Sequence, residues 1–188
     1  MSNRTDLAPV GVAQLAPGQW NVDVSHSRVG FVGRHLMIAK VRGQFRDFAG
    51  VVQVDQNLLD STVEATVDLG SVDTGDPARD EHLRSSDFFT VDQHPKMTFT
   101  SSGITQDDGD YLLHGDLTIK GLTRPVAFAL DFEGVSGDPW GGVRAGFTAE
   151  AEVNRKDWGL EWNQALETGG VLVGEKVKIQ LDIELVKA

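Results

Sequence analysis

Two stretches of this chain have residues of the right types for chemistry. The segment "RDEHLRSSDFF", residues 79–89, sets Asp80 and Glu81 beside His82, follows them with Ser85 and Ser86, and closes on Phe88 and Phe89. The segment "DVSHS" offers carboxylate, hydroxyl and imidazole in Asp23, Ser25, His26 and Ser27. A hydrolase would use such groups as nucleophile, base and orienting acid, provided that the fold brings them together. In "DVSHS" they are neighbours on an extended chain, which does not assemble a nucleophile–base pair, and no GxSxG elbow is present. The histidines, His26, His35, His82, His94 and His114, never recur at i, i+2 or i, i+4, so no metal-ligand spacing exists. In "RDEHLR" the charges read as the solvated face of one helical turn with Leu83 inward. Phe88 and Phe89 differ, because two adjacent aromatic rings at the end of a polar connection must bury at least one. They read as a lid.

The segments that must position these residues are strands. "TVEATVDL" places Val63, Ala65, Val67 and Leu69 on one side and Thr62, Glu64, Thr66 and Asp68 on the other. The same period of two returns around Met97 and Phe99; Leu113, Leu117 and Ile119; Val126, Phe128, Leu130 and Phe132; Ala145 to Val153; and Val177 to Leu185. Residues 20–54 also read as strands, with phase breaks at Ser27, around "RHLMI" and near Asp47, as bulges or short helical turns would cause. One helix is signalled, with Asp76 as N-cap and Pro77 at its first position. About eight or nine half-buried strands with so little helix to cover them leave a sandwich or a closed barrel. Their length favours the barrel. Ala65, Gly115, Ala145, Ala149 and Ala151 are small at inward positions, so the interior either keeps a cavity or packs these residues against Phe128 and Phe132. Trp158 and Trp162, four apart, share a face in a helix or a strand, and form either a pocket wall or part of the core.

Composition narrows the function. The chain has 188 residues, 40% hydrophobic and 24% charged, as expected of one folded domain. A net charge of -11 repels nucleic acid and anionic membrane surfaces. No apolar run is long enough for a membrane span, and the N-terminal stretch, broken by Arg4, Asp6, Pro9, Gly11 and Pro17, holds no secretory h-region. A cytoplasmic location is therefore expected. With no cysteine, thiolate chemistry and thiolate metal sites are excluded.

In order along the chain, "HSRVGFVGRHLMIAKVRGQF", "STVEATVDLGSVDTG", "RDEHLRSSDFF", "PKMTFTS", "GDLTIKGLTRPV", "NRKDWGLEWN" and "ETGGVLVGEKV" resemble the YceI-like family of bacterial lipid-binding proteins. The "GQW" of residues 18–20 also resembles the GxW at the first strand of lipocalins. The resemblance implies an all-β fold, an eight-stranded antiparallel lipocalin-like barrel with a short helical insertion near residues 77–89. It also implies an apolar channel for a polyisoprenoid, an isoprenoid quinone or a fatty-acid derivative, held without catalysis. Residues 1–18 are expected as a flexible tail before a barrel domain at 19–188. Thr90 departs from the family, which often has Asp there, and Trp158 stands where a smaller aromatic is common. The family supplies no contact motif, so the channel lining is assigned from strand alternation and the aromatic segments: Phe31, Phe45, Ala65, Val67, Phe88, Phe89, Phe99, Leu117, Ile119, Phe128, Leu130, Phe147, Ala149, Ala151, Trp158 and Trp162. No catalytic residue, metal ligand or cofactor is assigned. The expected partner is a long-chain isoprenoid or acyl lipid, with no nucleic acid and no membrane insertion, and with a homodimer left open. The alternatives are an enzyme acting on such a lipid, with His26, His82 and Asp80 as its candidate groups, and a ligand-free barrel that mediates protein contacts.

Overall fold

A computed structural model describes residues 15–188. Its strands are β1 (Gly18–Val22), β2 (Arg28–His35), β3 (Ala39–Phe45), β4 (Phe48–Val54), β5 (Thr62–Asp68), β6 (Val72–Asp73), β7 (Lys96–Asp107), β8 (Asp110–Ile119), β9 (Leu122–Gly137), β10 (Val143–Asn154) and β11 (Lys176–Lys187). One α-helix, α1 (Pro77–Arg84), lies between β6 and β7. The sheet runs β1-β4-β5-β7-β8-β9-β10-β11, and β11 pairs back onto β1 with Trp20 opposite Lys187. All of these pairings are antiparallel, so an eight-stranded barrel closes and its ring keeps no free edge. No helix among the described residues is long and apolar enough to cross a membrane.

The remaining strands are continuations of ring strands past a break. β2 prolongs β1 beyond a 3-10 turn at Val24–His26, β3 precedes β4 across Arg46 and Asp47, and β6 follows β5 after a 3-10 turn at Leu69–Ser71. The expected phase breaks at Ser27 and Asp47 are therefore real, and they fall at one level of three adjacent strands. Each break leaves backbone N–H groups without ladder partners, and short side chains supply acceptors. Asp23 accepts from Ser25 N at 3.0 Å and Asp68 from Gly70 N at 2.9 Å. Ser71 Oγ accepts from Arg46 N and Asp47 N at 3.1 and 3.0 Å while donating to Asp68 O at 2.6 Å, which ties two breaks together. Two hairpins turn on paired positive φ values, +49° and +86° at Asp108-Gly109 and +52° and +74° at Lys120-Gly121, as two-residue connections matched to strand twist require.

The interior falls into two apolar clusters. The smaller packs Trp20, Val54, Ala145 and Leu185 with Leu15 at one end of the barrel. The larger runs from Phe99 and Phe128 to Phe45, Phe88 and Trp158 under α1. Trp20 is fully buried and donates from Nε1 to Ala16 O at 2.9 Å. Leu15 and Ala16 belong to the expected tail; its residues 1–14 lie outside the described residues.

Ser71→Ala takes from Asp47 N its acceptor and leaves Arg46 N with Ser71 O alone at 3.3 Å, and should cost on the order of 1 kcal/mol in urea unfolding. A loss under about 0.5 kcal/mol would mean that the breaks do not depend on this hydroxyl.

Candidate functional site

Alternation on the closed ring points one face of every strand inward, and the inward set is too small to fill the barrel. A cavity of 210 Å³ remains inside it, walled by Phe48, Ala65, Val67, Phe99, Leu113, Phe128, Leu130, Phe147, Ala149 and Leu181, with Ser61 and Tyr111 among the few polar residues of its lining. A second cavity of 340 Å³ lies beneath α1, walled by Phe31, Phe45, Phe88, Phe89, Ile119, Trp158 and Trp162. Val29, Met97, Leu117 and Ile179 line both, so the two cavities adjoin along the barrel and share these residues as a common wall. Of the lining assigned from sequence, Ala151 alone faces neither cavity; it is buried beside its cross-strand partner Ile179.

Small residues do both things expected of them. Gly115 and Gly43 are covered by rings, since a Cβ there would stand 2.3 Å from Phe99 Cζ and from Phe31 Cζ respectively. Ala65 and Ala149 face open space in the lower cavity. The interior thus combines packed contacts with unfilled space.

The roof is built from the opening segment. Asp76 caps α1 by accepting from Ala78 N and Arg79 N at 3.0 and 3.3 Å. The chain then folds back, with Phe89 N donating to Leu83 O at 3.0 Å and Thr90 N to Ser85 O at 2.9 Å, and Thr90 takes a φ of +50°. That conformation suits Asp or Asn better than a β-branched residue. Phe89 meets Phe45 edge-on at 6.0 Å, and Phe88 packs at 5.6 Å from Trp162. Trp158 donates from Nε1 to Leu117 O at 2.9 Å, which fixes the wall opposite.

Two readings of this segment are corrected. Asp80, expected on a solvated face, is 8% exposed and accepts from Thr74 N and Thr74 Oγ1 at 2.8 and 2.6 Å. His82, read with the same face, is solvated only in part: its side chain is 37% exposed with Nε2 at the exposed Asp87, while its ring lines the upper cavity 4.5 Å from Trp162 and 5.1 Å from Phe88. A helix of two turns seated on a barrel rim turns more than one stripe toward protein. Glu81 is exposed, as read. Sequence reasoning also missed the polar rim of the upper cavity, formed by Arg34, His35, Thr74, Arg79 and Arg155. Nothing in the pattern "NRKDWG" marks Arg155 as buried, yet it is 5% exposed and donates to the carbonyls of Gly174, Leu160, Trp162 and Val173.

The "DVSHS" groups do meet, because the 3-10 turn folds what the sequence presents as extended. His26 Nδ1 lies 2.9 Å from Asp23 Oδ2 and 3.1 Å from Ser25 Oγ. Both partners use the same ring nitrogen, so the imidazole cannot relay a proton from serine to aspartate. Glu184 completes a group of potential metal ligands with Asp23 and His26. Arg144 engages both carboxylates, at 2.6 Å from Asp23 and 3.1 Å from Glu184, and adds Asp138 at 3.2 Å. The arrangement is an ion-pair cluster that fastens the first strand break to β10 and β11. Arg144, and then Ser25 and His26, hold the Asp23 carboxyl far below the usual carboxylate range.

The chain matches the model of the YceI-like domain over residues 20–185. It belongs to the YceI-like family. A UPF0312 protein of Staphylococcus epidermidis is 41% identical over 170 residues, which span 88% of this chain and 96% of that one. Among solved structures, Burkholderia cenocepacia BcnA superposes with a TM-score of 0.73 at 25% identity, over 87% of this chain and 98% of BcnA. A polyisoprenoid binding domain from Saccharophagus degradans, implicated in plant cell wall breakdown, superposes with a TM-score of 0.68 over 92% of this chain and all of that one; at 15% identity it shares the fold. The YceI-like barrel of this chain therefore has the eight-stranded closed architecture of its relatives, with the cavities described above.

Because the Asp23 carboxyl is depressed in the folded state, its contribution to stability is complete above the unfolded value near pH 4 and is lost as pH falls. Arg144→Gln should lower stability at pH 7 and flatten its fall between about pH 4 and pH 2. Parallel pH profiles for the two proteins would show that the cluster does not set this dependence.

Proposed function

We propose that this protein binds one long-chain amphiphile, a polyisoprenoid, an isoprenoid quinone or a fatty-acid derivative, inside the barrel, and carries or sequesters it without reacting with it. The observation that carries this reading is the pair of adjoining apolar cavities inside the barrel, the upper one under an aromatic roof. Protein interiors normally close-pack. At about 24 cal/mol per Å³, a volume of 210 Å³ left empty forgoes on the order of 5 kcal/mol, comparable to the whole stability of many domains. An apolar chain threaded through it would recover that contact, and burial at about 25 cal/mol per Å² supplies affinity before ordering costs. A protein of the same fold is described as a polyisoprenoid binding domain.

Binding is favoured over turnover by the disposition of the hydroxyls and histidines. Among the described residues the serine–histidine and threonine–histidine bonds are Ser25–His26 and Thr105–His114, and neither pair lines either cavity. Ser61 Oγ is engaged by Asp55 N, and Thr74 Oγ1 donates to Asp80.

Organic extraction of purified protein, followed by mass spectrometry, should yield a long-chain species in stoichiometric amount. Clean extracts from protein that also fails to bind a fluorescent polyene would overturn the reading. Ala149→Phe, which puts a ring into the lower cavity, should weaken polyene binding at least about tenfold while the barrel stays folded. Phe89→Ala should cost about 1 to 3 kcal/mol, chiefly through faster dissociation measured by stopped flow. Unchanged binding in both variants would place the ligand elsewhere.

A further inference from the structure

The upper cavity is opposite in sign to the net charge of the chain. The chain has 28 acidic against 17 basic residues, yet the lining beneath α1 includes Arg34, Arg79, Arg155, His35 and His82, and no aspartate or glutamate. We infer that this cavity selects an amphiphile with an anionic head group, a carboxylate or a phosphate, and that Arg79 is the residue that binds it. The inference rests on the proposed carriage of a long chain and adds the class of its head.

Two arginines carry the argument. Arg155 is a buried cation answered by backbone oxygens, at 2.8 Å from Gly174, 3.0 Å from Trp162 and 3.3 Å from Val173, and by the Leu160 carbonyl. No carboxylate lies within ion-pair distance of it among the described residues. Burial draws its pKa below the ordinary arginine value, with Glu175 opposing. Guanidinium remains protonated even so, so a positive charge stands against an apolar wall in a region of low dielectric. Buried charges are normally paired, and an anion in the cavity would supply what this one lacks.

Arg79 is held in place by Thr74. Its Nε donates to Thr74 Oγ1 at 2.8 Å and its Nη2 to Thr74 O at 2.9 Å, while Thr74 is itself fixed by Asp80. Asp80 therefore orients the guanidinium through Thr74 and forms no ion pair with it. Nη1 has no hydrogen-bond partner among the described residues, and Arg79 lines the cavity. Such a preorganised fork suits a carboxylate or phosphate oxygen, and a neutral alcohol or amide would leave its charge unanswered. Of the acids around α1, Asp76 is engaged by Ala78 N and Arg79 N, Asp80 by Thr74, and the exposed Asp87 by His82 Nε2 at 2.8 Å. Arg34, exposed at the rim, forms no ion pair among the described residues.

The test compares matched probes on the full chain by displacement of a bound polyene: a C18 fatty acid against its alcohol, and geranylgeranyl phosphate against geranylgeraniol. In the wild type at least one anion should bind about tenfold or more tightly than its neutral partner, and the pair that shows the preference names the head. In Arg79→Gln the preference should fall to within about threefold, because the anionic probe loses more affinity than its neutral partner. Equal affinities within both pairs in the wild type overturn the inference and leave carriage standing. A preference that survives in Arg79→Gln overturns the role of Arg79. Failure of all four probes to bind overturns carriage itself, and this inference with it.

Discussion

The structure depends on a coordinated interruption of three neighbouring strands. Had β1, β3/β4 and β5 run unbroken, every inward position would have met its neighbours at one spacing around a uniform cylinder. The breaks at Asp23–Ser27, Arg46–Asp47 and Leu69–Ser71 fall at the same level, and beyond them β2, β3 and β6 continue in a displaced segment of wall. β6 pairs with β3 but not with β7, and α1 sits in the opening. The upper cavity exists because the wall is displaced there. The energetic condition is modest: the amides released by each break need acceptors, and Asp23, Asp68 and Ser71 provide them.

Within that wall the choice between packing and emptiness is made residue by residue. Where glycine faces a phenylalanine on an adjacent strand, the ring lies over the glycine backbone, as at Gly43 with Phe31 and Gly115 with Phe99. Ala65 pairs directly with Phe99, whose ring lies over Gly115, so Ala65, like Ala149, is left facing the lower cavity. The ends are treated differently. Trp20 and Leu185 help close one end with a dry cluster, whereas the other is roofed by Phe88, Phe89 and the imidazole of His82, beside a basic rim. An amphiphile lying with its tail toward the first and its head toward the second would satisfy both.

Much of this was legible in the chain. Strict alternation in "TVEATVDL" and its counterparts marks inward faces whatever the topology, so fifteen of the sixteen residues assigned from it and from the aromatic segments line one or other of the two cavities. The capping signal at Asp76 and Pro77 located α1 because capping is a local interaction. What could not be read is what tertiary geometry decides. Asp80 and His82 have the look of solvated residues until a short helix is set on a rim, and Arg155 shows no sign in its neighbours that four backbone carbonyls will surround it. Ser25 and His26 are drawn together by a 3-10 turn that extended-strand reasoning does not foresee.

The central claim is that the unfilled interior takes up an apolar chain along the barrel axis. Isothermal titration calorimetry over a range of temperatures, with a homologous series of acyl or isoprenoid chains of increasing length, measures it most directly. Chain burial predicts a negative heat-capacity change that grows with each added unit until the channel is full, then levels off. A heat-capacity change near zero, or one independent of chain length, would contradict the account and place the ligand's contacts on the surface.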